Sequence, residues 1–346
     1  MSTCQDVPLT HGVCIPDTRL QDALIARFQQ GGLDLAMNLD TYALSRLGRV
    51  PKREVVTSPA PVFSPLAFNQ RATALNAQAN GGTSIFPDRT VRQAFIEAFD
   101  RCAAVLAQLG TGNCIDSNLF TAELEPPSAL DYDPTFALPH YNPSDAAALL
   151  TRAGFPVVDG VRRYKDGMTP LRLTLFLTPG AEVPLVIAQR MQQDYLKNLH
   201  VSLSVVNDPS IWPSPGNPVL TGAFDLLLFG DSESTDPVGR LEAFGPFDSA
   251  DIPSLQHPSG GNWYGIMDPY VDQRNQLAAQ TVSDAQRTLI LRTLERYFAQ
   301  QFYIEAIYMR ADVALWKPTL CNFKKWPQAG STLWNMADWY VAPSCP

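Results

Sequence analysis

The segment Asp231-Ser-Glu233-Ser-Thr-Asp236-Pro237 sets three carboxylates in one short loop, directly after the apolar run 224–229. Carboxylates at the C-terminal end of a buried strand stand where α/β sheets place ligands, and a carboxylate there can also bind a metal cation. The loop lacks the central glycine and terminal glutamate of an EF-hand, which argues against Ca²⁺. Taken alone, these residues leave two readings: a solvated Asp-Pro turn, or a site for a positively charged group. Phe229, Trp263 and Tyr264, with Trp212, form a second set. Core packing is the default for aromatics, but Trp212 and Trp263-Tyr264 lie beside Pro, Gly and Asn, settings from which aromatic rings line clefts.

Signatures of catalysis are missing from the sequence. His11, His140, His200 and His257 are isolated, without the spacing of metal ligands, and read as surface or turn residues. No G-x-S-x-G elbow, P-loop or dinucleotide fingerprint occurs. Gly110-Thr-Gly112 follows a helical pattern instead of opening one, so it cannot present backbone N–H groups to a phosphate. Cys114 as a nucleophile would need a base that the sequence does not supply. The six cysteines instead fall into near pairs, Cys4 with Cys14, Cys102 with Cys114, and Cys321 with Cys345, as disulfides of an oxidising compartment would. The expectation from these residues is a chain without enzymatic activity and without a cofactor.

The elements that must position these residues alternate between helix and strand. In a chain of 346 residues with 45% hydrophobic composition, a large core is affordable. Leu20, Ala23, Leu24 and Phe28 lie at helical spacing, with Asp17 as a cap and Gly31-Gly32 as a stop, and Leu33 to Met37 reads as a strand. Residues 51–65 are proline-rich and extended, and residues 71–84 are linker-like. Val91, Ala94, Phe95, Ala98, Phe99, Cys102, Val105 and Leu106 form one stripe, predicting a single helix from Pro87-Asp88 to Gly110. Asn142-Pro143 starts another helix, which Gly154 ends. Leu171, Leu173, Leu175 and Leu177 alternate with Arg172, Thr174 and Phe176, a helix follows over 183–199, and Val201, Leu203 and Val205 alternate again, the pattern of a parallel crossover. A final helix over 283–301 leads into a strand over 302–308. The net charge of −8 excludes a nucleic-acid partner and disfavours an anionic membrane surface.

In order along nearly the whole chain, the sequence resembles the solute-binding proteins of peptide ABC importers, the oligopeptide- and dipeptide-binding family. The resemblance is carried by Gly31-Gly32-Leu33-Asp34-Leu35, Phe68-Asn69, Val91-Arg92 to Asp100-Arg101, Asn142-Pro143-Ser-Asp145 to Gly154-Phe155, Phe224-Asp225 with the acidic loop, Asn262-Trp263-Tyr264-Gly265, Asp272, Arg287 and Trp334-Asn335 to Trp339. It implies an α/β, two-lobed periplasmic-binding-protein-like fold that hinges around a solute. One lobe takes 1–70 and 309–346, the other 71–308, with chain crossings expected within 66–85 and 306–320 and separate sheets for 1–60 and 171–206. The first lobe looks incomplete, as in the later part of a longer protein whose export signal lies elsewhere.

The resemblance also implies the site. In peptide-binding members an aspartate four residues before the loop proline pairs with the peptide's α-amino group, and Glu233 holds that position here, with Asp231 beside it. Phe229, Trp263 and Tyr264 would form apolar walls, with Asn69 and Asn262 among the ligand-binding residues. The longer Glu233 side chain leaves room for an uncharged solute such as an oligosaccharide, stacked on Trp263 and Tyr264, or for another small solute; four scattered histidines make nickel the least suited. The implied partners are a peptide or similar solute and a membrane permease, the implied location is extracytoplasmic, and the expected state is a monomer. From another class, a secreted α/β hydrolase would require the missing nucleophile and base.

Overall fold

The computed structural model describes residues 18–39, 55–109, 140–177, 182–208, 217–232, 247–254, 257–324 and 333–345, with a few positions between 43 and 51. Helix α1 (Thr18–Gln29) and strand β1 (Leu35–Leu39) precede the long strand β2 (Val55–Phe68). Short α2 (Leu75–Ala79) leads to α3 (Arg89–Glu97), α4 (Arg101–Leu109) and α5 (Pro143–Arg152). A small hairpin, β3 (Val157–Val158) and β4 (Val161–Arg162), is followed by β5 (Arg172–Leu177), α6 (Glu182–Asp194) and β6 (Ser202–Val206). Next come α7 (Pro218–Thr221), β7 (Leu226–Leu228), β8 (Asp231–Ser232), α8 (Pro269–Gln280), α9 (Asp284–Gln301) and the second long strand, β9 (Ile304–Trp316). The hairpin strands β10 (Leu320–Cys321) and β11 (Tyr340–Val341) follow.

Seven strands form one sheet in the order β1-β9-β2-β7-β5-β6, with β8 also on β2. The crossover expected over 171–206 is present: β5 and β6 pair in parallel, as do β5 and β7. The rest of the sheet is antiparallel, so the architecture is a mixed α/β sheet. Alternation sorts side chains onto two faces. Leu66, Phe68, Leu226 and Leu228 join one core with α3 to α6, while Ala67, Leu227 and Phe229 join another with α8 and α9. This two-sided cover explains why β7 is an unbroken leucine run.

Beyond these cores the long strands carry a second pair. Val55 and Val56 of β2 and Val313 to Trp316 of β9 pack with Phe28, Ala36, Leu39, Phe323 and Trp339. The cores therefore divide inside β2 and β9, where pairing shifts register between Pro59 and Phe63 and again between Ser64 and Pro65. Prolines lack the ladder donor, which places such irregularities at them. Separate sheets for 1–60 and 171–206 are not found, because β2 and β9 run through both cores and join them in one sheet.

Two further expectations are corrected. The single helix over 87–110 is two, because the Asp100 carboxylate accepts from Ala103 N and starts α4 afresh. The stripe still packs inward, with Val91, Ala94, Phe95 and Ala98 fully buried. The linker-like residues 71–84 form a packed strap, in which Ala74, Asn76, Ala77 and Ser84 are buried. Other ends match: Asp88 caps α3, Asn142 caps α5, and Gly154 turns at φ +95°.

Candidate functional site

The site is built where the chain leaves β2. Asn69 N donates to Asp225 O at 2.9 Å and Gln70 N to Tyr264 O at 2.7 Å, so one short segment holds both the strand before the acidic loop and the Trp263-Tyr264 turn. The Asn69 amide donates to Gly222 O (2.8 Å) and Phe224 O (2.7 Å) and accepts from Arg71 N. Arg71 reaches Leu220 O and Pro253 O, and burial lowers its guanidinium pKa. Gly265, at φ +70°, closes the turn against this arginine; a Cβ there would lie 2.3 Å from Arg71 Cγ.

Beneath the segment lies Asp225, which sequence reasoning placed only within a strand motif. Its buried carboxylate accepts from Asn76 N (2.6 Å), Asn76 Nδ2 (2.8 Å) and Thr174 N (2.8 Å), tying the strap to β5. Desolvation raises its pKa, against the pull of those three donors. An aspartate directly before an apolar strand was the available signal, since a buried carboxylate needs such donors.

The structure brings together three of the expected aromatics. Phe229 lies 6.0 Å from Trp263 and 6.1 Å from Tyr264, ring centre to ring centre, and Trp263 lies 6.3 Å from Tyr264. Phe247, which the sequence did not single out, also stacks on Tyr264, at 6.0 Å. Phe229 and Tyr264 are buried, whereas Trp263 is half-buried and forms the accessible edge of the group. Two residues beyond Phe229, Asp231 pairs through its backbone with Phe63 of β2, beside the register break. The first residue of the acidic segment, Asp231, therefore lies in the sheet where the two sets of cores meet. Glu233, Asp236 and Trp212 lie outside the described residues.

The two asparagines expected as ligand contacts are spent inside the fold. Asn69 is fully buried with its amide bonded as described. Asn262, also fully buried, donates to Phe247 O, Asp248 O and Ile266 O and accepts from Ile266 N. Both hold loops in place, because a buried amide is tolerated only when its donors and acceptors are matched.

The Val91-Arg92 to Arg101 motif is likewise scaffolding. Arg92 donates to the carbonyls of Phe86, Pro87, Gln301 and Phe302 and lies over the Tyr303 ring at 4.6 Å; desolvation lowers its pKa to about 10. Arg101 pairs with buried Glu305 at 2.7 Å. Asp268 accepts from the hydroxyls of Tyr297 and Tyr303 at 2.7 Å each. Cys321 and Cys345 form the expected disulfide, with Cα atoms 5.2 Å apart. Cys102 is disulfide-bonded as well; Cys114, the partner expected for it, lies outside the described residues, as do Cys4 and Cys14.

A mixed sheet with helices on both faces, running through two sets of cores and carrying an aromatic group where they meet, defines the class of two-lobed periplasmic binding proteins. The sequence pattern of the bacterial extracellular solute-binding proteins, family 5 (middle region), matches residues 12–244, and the chain belongs to that family. Solved structures share the fold. They include the oligopeptide-binding protein AppA from Bacillus subtilis in complex with a nonapeptide (24% identity, 95% of this chain and 59% of that one, TM-score 0.67). NikZ from Campylobacter jejuni, in complex with Ni(L-His), matches at 21% identity over 91% of this chain and 58% of that one (TM-score 0.68). NikA from Brucella suis, in complex with Fe(III)-EDTA, matches at 17% identity over 95% and 61% (TM-score 0.71). The chain thus spans about three fifths of the length of these relatives. No curated protein matches it by sequence. Among the described residues, no helix is long and apolar enough to cross a membrane.

Proposed function

We propose that this chain supplies the ligand-binding lobe, and part of the second lobe, of the solute-binding component of an ABC importer that captures peptides and delivers them to a membrane permease from an extracytoplasmic location. The observation that carries this reading is the position of Asp231, the first carboxylate residue of the acidic segment. In β8 it pairs with β2 beside the register break, two residues from an aromatic group whose accessible edge is Trp263. Glu233, assisted by Asp231, receives the ligand's α-amino group, and Trp263, backed by buried Phe229 and Tyr264, presents the apolar wall. The lobes, divided inside β2 and β9 where the cores part and not after Phe68 as the resemblance implied, close by bending at the irregular pairings of these strands, as hinges do in short segments that absorb backbone change.

The half-buried indole of Trp263 also supports a second reading, an oligosaccharide stacked on Trp263 alone, since Tyr264 is buried. Mass spectrometry of solute retained by the purified full-length protein separates the two: peptide masses support the first reading, hexose-repeat masses the second. Retention of a metal chelate, as in the complexes of NikZ and NikA, would overturn both.

A further inference from the structure

The segment that joins β2 to the site contains an amide that the fold does not use. The side chains of Asn69, Asn76 and Asn262, all buried in this knot, have their donors bonded within the protein. Gln70 differs. Its backbone N donates to Tyr264 O, yet its side-chain Nε2 is shielded from solvent and finds no hydrogen-bond partner among the described residues. A buried donor without a partner is a cost that methionine, of similar shape, would avoid. The neighbours on either side, Asn69 and Arg71, are fixed by their own bonds, so the Gln70 backbone is held directly against the Trp263-Tyr264 turn.

We propose that Gln70 is a ligand-positioning residue of this site, its side-chain amide donating to a main-chain carbonyl oxygen of the bound peptide. The inference rests on the peptide reading above. With the amine taken by a carboxylate and side chains lying against aromatics, the peptide's carbonyl oxygens still need donors once removed from water. The amides of Asn69 and Asn262 are spent and cannot serve. Gln70 has an amide donor to spare and is bonded to the wall itself.

The test uses the full-length protein, a randomised peptide mixture to select a bound peptide by native mass spectrometry, and calorimetry of that peptide. Gln70→Met should weaken binding about tenfold, the worth of one desolvated neutral hydrogen bond, while leaving the melting temperature of the ligand-free protein unchanged or higher. Thioamide replacement, which weakens one carbonyl acceptor at a time, should reveal one position whose effect on wild type vanishes in Gln70→Met. A purely structural glutamine would give neither signature. Equal peptide affinities for wild type and Gln70→Met, with Trp263→Ala still losing affinity, would overturn the role of Gln70 alone. A wild-type protein that selects no peptide from the mixture would overturn the peptide reading and this inference with it.

Discussion

Asn262→Ala separates a strut from a ligand contact. In the structure the amide makes three donor contacts, at 3.2 Å to Phe247 O, 3.0 Å to Asp248 O and 2.8 Å to Ile266 O, and accepts from Ile266 N at 3.0 Å. Two N–H groups cannot serve three acceptors fully, so the long contact to Phe247 shares a hydrogen with a better one. Counting three effective bonds at about 1 to 1.5 kcal/mol each gives a loss of about 3 to 4.5 kcal/mol, part of it the stranded N–H of Ile266. At about 2 °C per kcal/mol for a large domain, the ligand-free protein should melt about 6 to 9 °C lower. The assay is thermal unfolding without added solute, paired with hydrogen exchange at Ile266 N, which should lose protection. A variant with unchanged melting temperature and unchanged exchange, but reduced solute affinity, would refute the assignment of Asn262 to the scaffold.

Gly265→Ala should destabilise by about 2 kcal/mol and weaken solute binding, because alanine is strained at φ +70° and its Cβ would displace Arg71; thermal melts and calorimetry check both effects. Cys321→Ser should cost about 3 kcal/mol for a loop of this length, read as a lower melting temperature on which reductant has a smaller further effect than it has on wild type, because the disulfide of Cys102 remains. Burial pushes the Glu305 carboxyl up to about 7 although Arg101 opposes it. Since the folded state holds this proton more tightly than the unfolded chain does, the contribution is present at low pH and is lost as pH rises from about 4.5 to about 7. Urea midpoints between about pH 5 and about pH 8 should show this decline in wild type and a flatter profile in Glu305→Gln.

Where local chemistry decides, the sequence is readable. Asp88, Asn142 and Gly154 mark helix ends that the fold respects, and the alternation of Leu173, Leu175 and Leu177 correctly announces β5. Phe229, Trp263 and Tyr264 converge as the ordered motifs imply. The unread parts depend on long-range partners. Nothing local shows that residues 71–84 pack, because the bonds that hold Asn76 go to Asp225, far along the chain. Asp100 lies inside an unbroken apolar stripe, and only its bond to Ala103 N reveals the break between helices. Asn69 and Asn262 sit in the right motifs for ligand contacts, and their amides turn inward because four backbone carbonyls of neighbouring loops need donors there. The proline-rich stretch reads as extended, but its pairing with β9 across both sets of cores is a tertiary fact.

The central claim, that a carboxylate of the acidic loop receives a ligand amine beside the aromatic wall, is tested most directly by calorimetry of one peptide with a free and with an N-acetylated terminus. Wild-type full-length protein should bind the free peptide at least a hundredfold more tightly, and Glu233→Ala should abolish that preference. Such a loss corresponds to the roughly 3 to 5 kcal/mol at stake when one member of a desolvated ion pair is removed. Equal binding of the two peptides by wild type would contradict the account and favour a neutral solute.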